Sequence, residues 1–559
     1  MEVDIDKLEL RVFTAGPAAL VARMCDILRI PQIIDSVVEW DPKNCRLSPG
    51  LRAKAMIINI LVDRRALYDV EKFYQTQDLE VLFGPEAGVM ADELNDDALG
   101  RALDKIYACD LERLFSMIAL NAAALHDVPL TELFSDTTSI SVAGAYEGGH
   151  GDLFITYGYS KDERPDLKQF LIGLVVNQEG LPVFAQALDG NQSDKTWYPQ
   201  VVKKLEKVFS PESLKKTIFV ADCALVTVDN LDLFAQKELK FISRLPHTFA
   251  AADLAKEKAY QEGEWVEAGV LSERKGAASY RLKEYLWEIG GRPYRLIVVH
   301  SSALDEKKEK TLKKSWEKQR AELEQQAKEL ARRPFACRAD AEKAIAIFER
   351  KHQAKPFTFQ GQVREEVSTT YARPGRPKKL DVPTKTVTYF AEILIQEDEE
   401  AQAREKAKAA TFVLITNLMD AKDYPAVKIL KEYKQGNSVE GRFRFLKNPF
   451  LLGPVFLKTE RRVEAMAFIF QLALLVAAYF EYRVRQSLKN EDRPLVLWKN
   501  RKTNKPAITA LLDMLEDLAV AKIGPNRYLV NHHGPEVIRT LELAGFGKEI
   551  YLKPSCTGG

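Results

Sequence analysis

Three acidic residues, Asp136, Asp222 and Glu440, stand in contexts suited to holding cations. Asp136 follows an apolar run in LFSDTTSISV, Asp222 ends another in TIFVADCAL, and Glu440 lies in YKQGNSVEGRFRFLK. Carboxylates drawn into one pocket repel each other and resist ionising unless a cation neutralises them. A convergent acidic cluster lacking its own Lys or Arg partners is therefore a metal-site candidate. Hard ions such as magnesium take carboxylate oxygens and keep several waters, so three acidic ligands suffice. Two divalent ions, Mg2+ or Mn2+, about 4 Å apart activate an oxygen nucleophile and stabilise a leaving oxygen. That is the chemistry of phosphodiester cleavage by water and of strand transfer by a 3′-hydroxyl. A lone Asp after a strand more often caps a turn, so it is the ordered set that points to a site.

The elements that must position these residues follow from pattern. LFSDTTSISV, QFLIGLVVN and LPVFAQALDGN succeed one another at hairpin-like spacing, broken by Gly180 and Pro182. KTWYPQVVKKLEKVF predicts a helix, TIFVAD a strand, TVDNLDLFAQKEL a helix and KFISRLP a strand. Three strands, a helix, a strand, a helix and a strand predict a mixed α/β sheet with helices on its faces, the order of an RNase H-like catalytic domain. Asp136 and Asp222 are then expected at strand ends. The pattern lapses over residues 246–405 and returns in TFVLITN, Thr411 to Asn417, just before Glu440. Residues 130–245 and 406–490 are thus expected as two parts of one domain, interrupted by a large α+β insertion at 246–405.

Within the insertion, SYRLKEYLWEIGGRPYRLIVVHSS predicts a hairpin turning at Gly290–Gly291. DEKKEKTLKKSWEKQRAELEQQAKELARR predicts one long charged helix ended by Pro334, with Leu312, Trp316, Leu323 and Leu330 on a stripe. Such a helix is usually a solvated surface helix or a coiled-coil arm. Ahead of the sheet, residues 1–125 read as an all-helical N-terminal domain, with Ser48–Pro49 and Asp97–Ala98 as helix starts. It is either a DNA-binding module of the helix-turn-helix type or a supporting bundle. Arg52, Lys54, Arg64, Arg65, Arg101 and Lys105 are its candidates for facing phosphates. Residues 491–559 form a C-terminal region without a motif.

At 559 residues the chain exceeds one core, and domain-size priors suggest roughly three to four domains. The net charge is only +1, so nucleic-acid binding has to rest on local basic patches. The six cysteines form no CxxC pair and have no histidine at zinc spacing, which suits a reduced intracellular compartment. MEVDIDKLEL carries no secretory pattern. The run from Ala465 to Phe480 is short for a membrane span and contains Gln471, so a buried core helix is expected. A cytoplasmic protein with no membrane and no nucleotide cofactor is expected; neither a phosphate-cradling Gly-rich loop nor a G-x-S-x-G turn is present.

Taken with these motifs, the chain resembles the DDE transposases of bacterial insertion sequences. The similar branch has an insertion between the second Asp and the Glu and carries a Y-x2-R-x3-E-x6-K signature. Tyr433, Glu440 and Lys447 fall at its spacings, while its arginine position is Gly436. DTTSISV, GYSKDERPDLKQ, GNQSDK and VADCAL share the resemblance, as do LSPGLRAKAMIINIL and LNDDALGRALDKIY nearer the start. The resemblance implies that Asp136, Asp222 and Glu440 hold two metal ions, and that Tyr433 and Lys447 contact the DNA backbone near the cut end. It also implies binding of terminal inverted repeats and target DNA by a homodimer, and a cut-and-paste route with a hairpin intermediate. Tyr433, Gly436, Glu440 and Lys447 are three, four and seven residues apart, so one helix gives them one face. Lys434, Arg442 or Arg444 would take the phosphate contact of the missing arginine.

Further DNA contacts are expected at Lys161 and Arg164 in SKDERPD, which alternatively pair with Asp162, Glu163 and Asp166. RPGRPKK, with Arg373 and Arg376, resembles a minor-groove hook, or is a basic surface loop. Trp265, Trp287 and Trp316 are the insertion's candidates for stacking on a flipped base. The other readings that the residues allow are a nuclease or resolvase that cuts without joining, and a DNA-binding protein that has lost catalysis.

Overall fold

A computed structural model describes the chain except residues 1–9, 126–127, 129, 143, 145, 147–152, 160–163, 272–275, 304–305, 354–355, 371–383, 447–456, 458, 531–533 and 555–559, and gives backbone alone for 306–307, 437–440 and 446. It is a mixed α/β protein whose residues group into two compact units. The first comprises Met1–Arg244, Thr416–Tyr424 and Lys428–Gly559, the second Leu245–Ile415 and Pro425–Val427.

In the first unit, five strands lie in the order 3-2-1-4-5. Central Glu132–Val142 pairs antiparallel with Lys168–Asn177, which pairs antiparallel with Pro182–Leu188. On its other side Glu132–Val142 pairs parallel with Ile218–Ala221, and that strand pairs parallel with Lys240–Arg244. Parallel neighbours need crossovers, and the helices Asp194–Leu205, Pro211–Lys216 and Val228–Gln236 supply them. Strands covered on both faces read as continuous apolar runs, which is why FLIGLVV in the second strand is buried throughout. Gly173 in that run gives Trp197 its seat: a Cβ there would lie 2.3 Å from the indole.

The segment ahead of the sheet is mostly helical. Ser48 caps Pro49–Val62 by accepting from Leu51 N, with Pro49 at the first helical position. The next expected start is shifted: Asn95, not Asp97, caps Asp96–Tyr107. The all-helical expectation meets an exception in the strand Leu10–Phe13, which pairs antiparallel with Val520–Ile523. That strand pairs in turn with Asn526–Leu529, so segments far apart in the sequence share one small sheet. Tyr551 adds a tie, donating to Gly16 O at 2.9 Å.

The run from Ala465 to Phe480 lies inside the helix Glu460–Lys489, capped by Thr459. This helix is apolar and long enough to cross a membrane, yet 94% of its most apolar window is buried inside the protein. It is a core helix, as Gln471 within the run suggests, although the helix extends well beyond the run.

In the second unit Ser279–Ile289 and Arg292–Ser301 form the expected hairpin, with Gly290 and Gly291 at φ +59° and +74°. Those left-handed angles suit a two-residue hairpin turn and favour glycine. Val266–Val270 flanks the hairpin on one side and Thr411–Thr416 on the other. The charged helix Glu306–Ala331 departs from the solvated expectation. Its Trp316, Leu323 and Ala327 are buried with Phe348, Phe357 and Ile395, and Leu312 and Leu330 pack against them. With Arg338–His352 it covers one face of a long two-stranded ribbon, Phe357–Thr370 and Thr384–Glu397. A ribbon alone is marginal in water, and the apolar stripe is what stabilises it.

Candidate functional site

Register brings two of the three acidic residues together. Ser135 pairs with Ala221, and Ala221 with Ser243, across three parallel strands. The next residue of each strand is Asp136, Asp222 and Arg244, so these three form one cross-strand row. Neighbouring strands lie about 4.8 Å apart, within reach of shared cations. Asp222 ends its strand as expected; Asp136 does not, because its strand runs on to Val142. The row sits at the carboxyl ends of the fourth and fifth strands, where open α/β sheets bind ligands.

Donors from the sheet and one helix hold the row. Asp222 Oδ1 accepts from Tyr198 Oη at 2.9 Å and from Ala224 N at 3.1 Å. Its carbonyl accepts from Ser243 Oγ at 2.6 Å. Thr137 N donates to Asp136 Oδ1 at 2.7 Å, and Thr137 Oγ1 donates to Asp194. Trp197 Nε1 donates to Ser135 Oγ at 2.9 Å, fixing the helix that carries Tyr198 against the central strand. Burial first, then the charges of Asp222, Asp136 and Asp194, hold the Tyr198 phenol well above the ordinary tyrosine range, so it stays a donor. Tyr433, half-buried, is pushed up by burial and lowered by Arg244, with Asp222 and Asp136 also acting on it. That places Tyr433 beside the same row.

The third acidic residue arrives on a separate element. The expected single helix from Tyr433 to Lys447 is two helices, Ala426–Gln435 and Asn437–Leu446, parted at Gly436, whose N–H donates to Tyr433 O at 3.2 Å. The shared-face expectation for Tyr433, Gly436, Glu440 and Lys447 therefore does not carry across the break. Gly436 itself lies by Phe134 of the central strand, where an added Cβ would come within 3.1 Å of Tyr433 O and 3.7 Å of Phe134 Cδ1. The helix bearing Glu440 buries Phe443 and Phe445 and packs on the first and second strands and on Glu460–Lys489. The Glu440 side chain lies outside the described residues, as do Lys447, Lys161, Arg373 and Arg376.

Arg442 corrects an expectation. It is 5% exposed, ion-paired with buried Glu481, and donates to Gly180 O at 2.8 Å. A guanidinium so enclosed is not presented to a DNA backbone. Glu481 also accepts from Arg485 at 2.7 Å and from Ile508 N at 3.2 Å, so Arg442 belongs to an internal network. Arg164 takes the alternative reading: it forms two bonds to Asp166, of 2.8 and 2.7 Å, on the surface. Lys54 is 1% exposed and paired with Asp26 at 2.6 Å, so it is not presented to phosphates; Arg52 donates to Leu47 O, and exposed Arg65 pairs with Asp63. Trp316 is core and donates to Glu405 at 2.6 Å, whereas Trp265 lies half-buried beneath Arg281.

Tyr198, Asp194 and Arg244 were not singled out by sequence. Arg244 had a signal: it closes a strand parallel to the one ending at Asp222. A further acidic pair lies at the start of the central strand, where Glu132 is level with Ile218, four residues before Asp222. Burial, reinforced by Glu432, pushes the Glu132 carboxyl up to about 8, and Lys428 opposes this.

The donor set suits divalent cations. Among the described residues no donor reaches Asp222 Oδ2, and hard oxygen ligands of this kind are what Mg2+ and Mn2+ prefer. Among known families, the model described as "Transposase DDE domain" matches residues 131–476, which include all three acidic positions. A second, "Domain of unknown function (DUF4277)", matches residues 16–120. No curated protein matches the chain.

Proposed function

The chain belongs to the transposase DDE domain family, and from that premise we propose that it is the transposase of an insertion sequence, acting on DNA by metal-dependent cleavage and strand transfer. The family implies an RNase H-like fold, with which the 3-2-1-4-5 strand order agrees. The observation that carries the reading is the row in which register aligns Asp136 with Asp222, beside a strand-packed helix bearing Glu440.

Asp136, Asp222 and Glu440 would hold the two divalent ions. A bound pair supplies charge stabilisation to the attacking and leaving oxygens. Asp222 would present Oδ2, since Tyr198 and Ala224 hold Oδ1. Tyr433 and Arg244, beside the row, are suited to a phosphate of the cut end, and Arg244 offers the cation that Gly436 lacks. Lys447, on the family resemblance, Lys161, from its place near the first strands, and Arg373 and Arg376, in the hook-like RPGRPKK, remain proposed DNA contacts. Residues 245–415 interrupt the catalytic domain between Asp222 and Glu440, as in the branch with a cut-and-paste route. A dimer on the terminal repeats follows from the need to cut and join two ends together, and a cytoplasmic location is what the transposase reading implies.

A cleavage assay on end-bearing DNA with Mg2+, comparing wild type with Asp222→Asn, tests this. Joined products that the substitution abolishes are expected. Cleaved but unjoined products would indicate a nuclease, and binding without cleavage a protein that has lost catalysis.

A further inference from the structure

Asp222 is held by one oxygen only. Tyr198 Oη and Ala224 N both donate to Oδ1, at 2.9 and 3.1 Å, and none of the described donors reaches Oδ2. A carboxylate's terminal torsion is broad and roughly two-fold, so nothing intrinsic distinguishes the two oxygens. Two donors on the same atom remove that degeneracy and leave the lone pairs of the other oxygen for a ligand.

The donor is itself fixed. Tyr198 is 3% exposed, on the helix Asp194–Leu205, and the adjacent Trp197 is fully buried. The Trp197 indole donates to Ser135 Oγ and rests where Gly173 lacks a Cβ. Tyr198 Oη also lies 3.4 Å from Ser135 O, one residue before Asp136. One helix turn thus touches both strands of the acidic row.

We propose that Tyr198 is a positioning residue for the metal-binding carboxylate of Asp222, holding Oδ1 so that Oδ2 alone is delivered to a divalent cation. The inference rests on the proposed metal-dependent reading and names a residue through which that site is built. Outer-shell partners of metal ligands typically change metal affinity by about 10- to 100-fold when removed.

The test uses the full chain and Mn2+ as the probe, with binding read from the electron paramagnetic resonance signal of free Mn2+. Tyr198→Phe keeps the ring and removes the donor; about ten-fold weaker Mn2+ binding is expected. The Mg2+ concentration for half-maximal cleavage should rise in parallel, with DNA-end binding in chelator unchanged. Trp197→Phe removes the neighbouring hydrogen bond of the same helix without touching Asp222. It should lower the melting temperature and weaken Mn2+ binding less than Tyr198→Phe does, which separates positioning from mere support. Melting curves with and without Mn2+ report the same affinity through stability if Tyr198→Phe folds weakly. Wild-type Mn2+ affinity in Tyr198→Phe, or equal weakening in Trp197→Phe, overturns the inference. Absence in the wild type of any Mn2+ binding that Asp222→Asn removes overturns the metal reading itself, and this proposal with it.

Discussion

Asp136 and Asp222 are positioned by backbone, whereas Glu440 is positioned through side chains. The two aspartates occupy neighbouring parallel strands, where ladder hydrogen bonds set their spacing whatever the surrounding side chains do. Glu440 rides the helix Asn437–Leu446, set off by the break at Gly436 and fastened by Arg442, Phe443 and Phe445. The proposed site would therefore combine a rigid floor with an arm whose placement depends on a buried ion pair. Damage to the floor's ligands should remove chemistry without unfolding, while damage to the arm's anchor should do both.

The largest effect expected is on the floor. Asp136→Asn or Asp222→Asn should lower the cleavage rate on the order of a thousand-fold or more, with melting temperature nearly unchanged. A large fall in stability would contradict the backbone-held picture. Next is the anchor. Arg442→Met strips one partner from buried Glu481, and breaking such a pair costs about 3 kcal/mol or more. Urea denaturation should show this, with a loss of cleavage that Arg442→Lys only partly restores, since Lys lacks the second donor direction. If Arg442→Met unfolds at the wild-type midpoint, the arm is not held as described.

A smaller, pH-dependent effect is expected where Glu132 of the central strand meets Glu432 of the preceding helix. The native Glu132 carboxyl is pushed up to about 8, above its ordinary value of 4.5, so the folded state binds more protons than the unfolded state between those values. Its contribution is fully present below pH 4.5 and is lost as pH rises toward 8. Glu132→Gln should flatten that fall, read as melting temperature against pH. Parallel profiles for the two proteins would reject the pairing. The smallest effect is expected at Arg164→Ala, whose exposed pair with Asp166 is screened by solvent and salt. Melting temperature should not move.

The parts of the fold legible in the sequence are those written locally. Apolar runs marked the strands, Ser48–Pro49 a helix start and Gly290–Gly291 a hairpin, because each depends on neighbours in the chain. The alignment of Asp136 with Asp222 was legible only as an order of elements; their register, and with it Arg244, is set by pairing between distant strands. Arg442 was misread for the same reason. A cation in a basic stretch looks solvent-facing until Glu481, on a distant helix, and Gly180 enclose it. The stripe of Leu312, Trp316 and Leu323 showed its helical period, but not that a ribbon lies beneath it. Gly436 was visible as a departure from the signature, and the structure adds that the helix stops there.

The strand Leu10–Phe13 finds its only described ladder partner in Val520–Ile523. During synthesis it leaves the ribosome long before that partner exists, by roughly 25 to 100 s at ordinary elongation rates. In that interval it is an unpaired edge with Leu10 and Val12 exposed to any competing strand. Only a chain that has reached Ile523 can close this seam, so a translation product interrupted before it would be left sticky and open to proteolysis.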